Sequence, residues 1–177
     1  LDEIVSHPDV HLTVIVPPQW RDERGVLPFE HTEPSGYQIL VEPIIFNGSY
    51  HFHFYPQLRQ RLLEINPDIL HIDEEPYNFA TWHALWAARR QGCKTLFFSW
   101  QNMSKKYPWP FSSIESSVIR QVNAAIFGSR SALQVFKDKG YMGPSEVIPQ
   151  FGVDTEVFKM RTNSKQFGSC FNIGFIG

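Results

Sequence analysis

The sequence predicts an α/β domain with a doubly wound, mainly parallel sheet, and two observations support this. Short apolar runs of strand length alternate along the chain with segments whose apolar residues recur at helical spacing. The clearest unit covers residues 67–101 and reads strand, helix, strand, so its strands should be parallel and joined by a right-handed crossover. The 177 residues are enough for one domain with a sizeable core.

Within this unit, the apolar run of residues 69–72 lies between Pro67 and an acidic loop, which is typical of a buried parallel strand. Asn78 is predicted to be the N-cap of the helix that follows, and Gly92 is predicted to end that helix. A second apolar run at residues 95–98 completes the unit.

The remaining elements follow from the same patterns. Further strands are predicted at residues 10–16, 37–46, 124–127, 146–148 and 172–176. Apolar spacing predicts helices near 54–65, after Ser112 and after Ser129 or Ser131, and the last turn of another helix at residues 1–6. Ser112 and Glu115 are spaced as a capping box. Residues 19–36 show no period and are predicted to form a loop.

Composition limits the class of protein. The net charge of −2 argues against a nucleic-acid binder held by phosphate contacts. Cys93 and Cys170 form no CxxC pair, and Cys93 opens a predicted buried strand, which favours reduced thiols and a cytoplasmic location. The sequence shows no apolar run near the ~20 residues of a membrane span and no signal peptide. We interpret the sequence as a fragment cut at both ends.

Polar residues follow both strands of the central unit at their carboxyl ends. Asp73, Glu74 and Glu75 come after the first strand, and Gln101 and Asn102 come after the second. Ligands of open parallel sheets bind beyond these ends, so we expect the two loops to converge and to carry the function. The acidic triplet could hold a metal, orient sugar hydroxyls or be a solvated loop.

Other motifs give weaker signals. No GxGxxG, P-loop, GxSxG or HExxH is present. His51 and His53 would share one face of a strand, but no third ligand is evident, so no metal site is predicted. The basic and aromatic segment of residues 105–109 could contact an anionic lipid or a polyphosphate acceptor, or Trp109 could fold back on the core.

Four segments in order carry a family resemblance. Residues 67–76 resemble the "PDIIHxHxxP" segment of retaining GT-B glycosyltransferases of family four, the glycogen-synthase-like group. Residues 123–131 resemble their "ADxVIAxS" strand and cap, and residues 147–158 are similar to "VIPNGVDTxxF". Residues 171–177 look like the first strand of the second domain of these enzymes. Each segment is a weak signal, but the ordered set is strong.

The resemblance implies a Rossmann-like, amino-terminal half of a GT-B fold. Residues 1–170 would be the acceptor-side domain without its first strand, and residues 171–177 would begin the donor-binding domain. The full enzyme would transfer a hexose, with retention, from a nucleotide-diphosphate sugar to a glycan or lipid-linked acceptor. It would need no metal and no cofactor besides that donor substrate, and the fragment alone would be inactive. The alternatives are a sugar-nucleotide epimerase of GT-B fold and a non-catalytic glycan-binding remnant.

The resemblance also suggests site residues, although it assigns no catalytic one. The expected polar contacts in the cleft are Glu74, Glu75, Gln101 and Asn102, the expected outer acceptor contacts are Lys105, Lys106 and Trp109, and Gly152 and Asp154 would shape the loop towards the second domain. The family commonly has a His near the position of Gln101. Glutamine cannot be a general base, but both of its amide groups can hydrogen-bond a sugar hydroxyl.

The absent first strand implies an empty position in the middle of the sheet, with unpaired backbone groups on both sides. We expect that residues 171–177 fill it, from the same or a neighbouring molecule, or that the sheet rearranges. Filling from a neighbour would give an oligomer by strand exchange. A lipid-linked acceptor would make the protein peripheral to a membrane.

Overall fold

The structure is a computed structural model that describes residues 1–30, 35–149 and 151–159. The helices are α1 (Asp2–Val5), α2 (Leu58–Ile65), α3 (Phe79–Arg89), α4 (Phe111–Gln121) and α5 (Arg130–Asp138). The strands are β1 (Thr13–Val16), β2 (Gln19–Asp22), β3 (Gly25–Pro28), β4 (Gln38–Val41), β5 (Ile69–Ile72), β6 (Lys94–Ser99), β7 (Ala124–Phe127) and β8 (Ser145–Val147).

The largest sheet has four parallel strands in the order β5-β6-β7-β8. Helices connect these strands, as parallel pairing requires. The predicted central unit is confirmed, because β5, α3 and β6 lie where the sequence pattern places them. The α/β fold class with mainly parallel strands is therefore confirmed.

A second parallel pair, β1 and β4, stands apart from this sheet. Ile15 of β1 nevertheless packs against the core of the larger sheet. Within the described part of the chain, no strand pairs with the second edge of β1 or with the edge of β5 opposite β6. Residues 171–177 lie outside the described residues, so their insertion between the two edges stays a prediction.

The region predicted to be a loop contains a hairpin, so that prediction was wrong. Strands β2 and β3 pair antiparallel, and Gly25 adopts φ +129° at the turn. The Asn47 side chain accepts a hydrogen bond from the backbone N–H of Arg21 and donates one to the carbonyl of Gln19, each 2.9 Å long. These bonds come from a distant segment, and a search for periodicity therefore misses the hairpin.

The predicted capping box is also wrong. Helix α4 begins at Phe111 with Pro110 at the N-cap, which places Ser112 inside the first turn, where it cannot be the cap. By contrast, Ser129 caps α5, because its hydroxyl accepts a hydrogen bond of 3.1 Å from the backbone N–H of Ala132.

A cluster of four buried aromatic side chains joins β6, β7 and α5. Phe97, Phe127 and Phe136 are inaccessible to solvent, and Tyr141 is 2% exposed. The Phe97 ring centroid lies 6.0 Å from that of Phe127 and 5.6 Å from that of Phe136. This packing fixes the strand ends from which the candidate site projects. None of the helices in the described ranges has the length and apolar character needed to cross a bilayer.

Candidate functional site

The loops after β5 and β6 meet at the carboxyl edge of the sheet. The Glu75 carboxylate accepts a hydrogen bond of 2.7 Å from the Ser99 hydroxyl and one of 3.0 Å from the backbone N–H of Trp100. The backbone N–H of Gln101 in turn donates to the Ser99 hydroxyl over 3.1 Å. The predicted convergence of the two loops is confirmed.

The Glu75 carboxylate is held in a partly desolvated position. Burial raises the pKa of Glu75 above its ordinary value, although the hydrogen bonds from Ser99 and Trp100 work in the opposite direction. Two donors thus fix the orientation of this acceptor, which suits it to bind a ligand hydroxyl.

A cavity of about 180 Å³ lies at this edge. It is lined by Glu75, Tyr77, Trp100, Gln101, Asn102, Met103, Lys105 and Tyr107. Four of these residues, Glu75, Gln101, Asn102 and Lys105, are predicted cleft or outer contacts. The wall therefore combines a carboxylate, two carboxamides and an ammonium group with aromatic rings, a composition that can bind a hydroxyl-rich ligand.

Glu74 belongs to a network beside the cavity. Its carboxylate lies 3.2 Å from His53 Nε2 and accepts a 2.8 Å hydrogen bond from Asn78 Nδ2. Asn78 Oδ1 is 3.1 Å from His51 Nδ1. The His51 and His53 pair thus holds an acidic loop, and the Asn78 side chain bridges two residues instead of capping α3. The described residues contain no cluster of three or more His, Cys, Asp or Glu side chains that could hold a metal.

Replacing His53 by Gln is expected to lower the free energy of unfolding by about 1 kcal/mol at pH 6, with a smaller loss at pH 8.5. Burial alone would lower the pKa of His53, but Glu74 and the carbonyls of Ser49 and Tyr50 outweigh it and raise the pKa above 6.5. The stabilisation is therefore fully present below pH 6.5 and is lost as the pH rises through the folded-state pKa. Urea unfolding of the wild type and the variant at both pH values measures this loss of stability.

The exposed His7 offers a matched control. The His7→Gln variant should unfold like the wild type at both pH values. An equal loss of stability for His53→Gln at pH 6 and pH 8.5 would contradict a contribution from the charged pair.

Other predicted site residues lie further out. Lys106 and Trp109 are absent from the cavity wall, and Trp109 is 81% exposed, so it does not fold back on the core. Asp154 Oδ1 accepts a 2.7 Å hydrogen bond from the backbone N–H of Glu156, which stabilises a local turn. Gly152 has no atom within 4 Å of the position of an added Cβ. The predicted interdomain role of Gly152 and Asp154 stays a prediction.

Three parts of the site were missed by the sequence analysis. Tyr77 and Tyr107 stack with ring centroids 4.1 Å apart. Lys139 reaches Gln101 from the end of α5. Gly128 lies against the Trp100 indole, with no room for a Cβ atom. Tyr107 lies within the segment singled out for its basic and aromatic residues, whereas Lys139 and Gly128 carry no local signal.

A larger groove of about 450 Å³ lies between α3 and α4. It is lined by Trp82, Leu85, Trp86, Arg89, Arg90, Ser117 and Gln121. It contains no carboxylate and none of the residues that follow the parallel strands. We therefore assign the candidate site to the smaller cavity, where buried polar groups converge.

The fold and this polar edge define a Rossmann-like α/β domain with a polar cavity at the carboxyl ends of its parallel strands. The family model described as Glycosyltransferase Family 4 matches residues 9–157, and the chain belongs to this family. Neither a curated protein nor a solved structure matches the chain.

Proposed function

We propose that this chain is the acceptor-side half of a retaining GT-B hexosyltransferase of the glycogen-synthase-like group. The whole protein would transfer a hexose from a nucleotide-diphosphate sugar to a glycan or lipid-linked acceptor. Membership of glycosyltransferase family 4 supports transfer of a sugar. The observation that carries the acceptor assignment is the Glu75 carboxylate, which is held by two donors in the wall of a cavity also lined by Gln101 and Asn102.

The proposed chemistry assigns binding roles to these side chains. Glu75 accepts a hydrogen bond from an acceptor hydroxyl and orients it, and Asn102 adds a polar contact. Gln101 cannot remove a proton. Retaining transfer needs no strong base from this domain if the leaving phosphate takes the proton of the acceptor hydroxyl. The donor would be bound mainly by the second domain, which would begin at residues 171–177, with Gly152 and Asp154 in the connection.

The outer residues suit a lipid-linked acceptor. Lys105, Lys106 and Trp109 are exposed, and Lys105 also lines the cavity. Neighbouring cations can bind the phosphate group of such an acceptor, and an exposed indole can insert at a membrane surface. Together they would extend the acceptor site from the cavity towards the membrane.

One observation favours a second candidate, a non-catalytic glycan-binding protein. Gln101 lines the cavity, and by the resemblance it or its neighbour stands where the family commonly has a His. A site that has lost a titratable group but kept its hydrogen-bonding wall could bind glycans without turnover.

The test uses the full-length protein. Purified enzyme is incubated with UDP-glucose or GDP-mannose, with and without a short oligosaccharide or a polyprenyl-linked sugar, and nucleoside diphosphate release is measured. We expect acceptor-dependent release and a product with the anomeric configuration of the donor sugar. Isomerisation without an acceptor would instead identify an epimerase, and glycan binding without release would identify a binding protein.

A further inference from the structure

A largely buried lysine, Lys139, lies behind the candidate site. The Lys139 ammonium is 2.5 Å from Glu115 Oε1 and 3.0 Å from Gln101 Oε1. The Lys139 side chain is 14% exposed and that of Glu115 is 10% exposed. The ammonium also lies 5.5 Å from the ring centroid of Tyr107 and 5.2 Å from that of Phe136. Its contacts are thus made inside the protein.

This contact fixes the chemical character of Gln101. An ammonium group can only donate hydrogen bonds, so Gln101 must present its carbonyl oxygen to Lys139. The amide nitrogen Nε2 is then the polar group of the Gln101 side chain that Lys139 does not contact. It is buried and has no hydrogen-bond partner among the described residues. A buried donor without a partner destabilises the protein. A ligand oxygen that accepted a hydrogen bond from this nitrogen would therefore make the free energy of binding more favourable.

Gln101 and Glu75 line the same cavity and are linked through Ser99. Glu75 as a carboxylate only accepts hydrogen bonds, and Gln101, with its oxygen occupied by Lys139, only donates. A hydroxyl group both accepts and donates. The two side chains therefore complement the hydroxyls of a sugar, with an oxygen facing Gln101 and a hydroxyl proton facing Glu75.

We propose that Lys139 is a positioning residue that fixes the Gln101 carboxamide as a hydrogen-bond donor for a sugar hydroxyl of the acceptor. This inference rests on the proposed function for the identity of the ligand. The orientation of the carboxamide does not depend on that function and can be measured without any ligand.

The first experiment tests whether Lys139 holds the Gln101 carboxamide in place, by NMR on the full-length protein labelled with ¹⁵N-glutamine. We expect the Gln101 side-chain amide, whose nitrogen is buried, to exchange its hydrogens slowly. Exchange should be at least tenfold faster in the Glu115→Gln/Lys139→Met variant, because the carboxamide is then free to rotate towards solvent. The Glu115→Gln change avoids leaving a buried unpaired carboxylate, which could unfold the protein. The single variant Lys139→Arg, which keeps a cationic donor, should retain slow exchange of the Gln101 amide. Lys137→Met, at an exposed position of α5, should leave this exchange rate unchanged. Unaltered exchange in the double variant would overturn the positioning role.

The second experiment tests the donor role with Gln101→Glu. The new carboxylate still accepts from Lys139 but has no N–H to offer, so the thermal unfolding temperature should not fall. Methyl α-D-glucopyranoside and methyl α-D-mannopyranoside are the probes, titrated by NMR. The sugar that binds the wild type should bind the variant at least tenfold more weakly. Equal binding by both proteins would overturn the donor role alone. If neither sugar bound the wild type, the sugar assignment and the proposed function would fail, while the exchange experiment would still decide the role of Lys139.

Discussion

Replacing Glu75 by Gln is expected to reduce acceptor-dependent transfer about a hundredfold, or ~2.7 kcal/mol, without a loss of stability at pH 7. The two side chains have the same shape, so the amide oxygen can still accept from the backbone N–H of Trp100. The negative charge that would orient an acceptor hydroxyl disappears. Rates at saturating donor and varied acceptor concentration measure this effect.

The same substitution changes how stability depends on pH. Because burial raises the pKa of Glu75 above 4.5, the folded state binds this proton more tightly than the unfolded state. The contribution of Glu75 to stability therefore falls as the pH rises from 4.5 through the folded-state pKa. Relative to that of the wild type, the free energy of unfolding of the Glu75→Gln variant should therefore increase as the pH rises through this range. Urea titrations at pH 4.5 and 7.5 measure the difference.

The exposed Glu146 on β8 supplies the control for both measurements. Glu146→Gln removes the same charge at the opposite edge of the sheet, because β8 and β5 are its two edge strands. This variant should transfer at the wild-type rate. Transfer by the Glu75→Gln variant at the wild-type rate would show that Glu75 does not bind the acceptor.

Replacing Gly128 by Ala is expected to reduce transfer about thirtyfold, mainly through a higher KM for the acceptor. The backbone of Gly128 is outside the left-handed region, so alanine is conformationally allowed. Its Cβ would lie 2.5 Å from Cε3 and 2.6 Å from Cδ2 of the Trp100 indole, which must move by roughly 1 Å to normal contact distance. Trp100 lines the cavity and is 41% exposed, so the shift should distort the site more than the fold.

A double-mutant cycle with Trp100→Ala tests this mechanism. Without the indole there is room for a Cβ at position 128, so Gly128→Ala should cost less than threefold in the Trp100→Ala background. Additive effects of the two substitutions would show that Gly128 acts by a route other than the indole. Urea unfolding of each variant, with an expected loss of about 1 kcal/mol for Gly128→Ala, separates a shifted ring from a damaged fold.

The parts of the fold that depend on local pattern could be predicted from the sequence. The apolar run of β5 and the helical spacing in α3 are visible within a few residues, and the parallel arrangement follows from their order. The hairpin of β2 and β3 could not be predicted in this way, because Asn47, which bonds to β2, lies more than twenty residues away. The spacing from Ser112 predicts a capping role for Glu115, and the true partner Lys139 could not be predicted because it is similarly remote in sequence.

The candidate site shows the same division. Convergence of the loops after β5 and β6 follows from topology, which is why Glu75 and Gln101 were predicted to lie at one edge. The sequence could not separate Glu75 from Glu74, since adjacent carboxylates look alike. The structure separates them: Glu74 is bound by His53 and Asn78, whereas Glu75 lines the cavity.

The bonds from Ser99 and Trp100 to Glu75 join two neighbouring loops before any ligand arrives. A sugar that enters the cavity therefore meets a wall that is already ordered, and little conformational entropy is lost on binding. Such a preorganised surface can exchange weakly bound sugars rapidly. In the two-domain enzyme that we propose, large movements during a catalytic cycle would then occur at the connection between the domains, while this edge of the sheet would keep its shape.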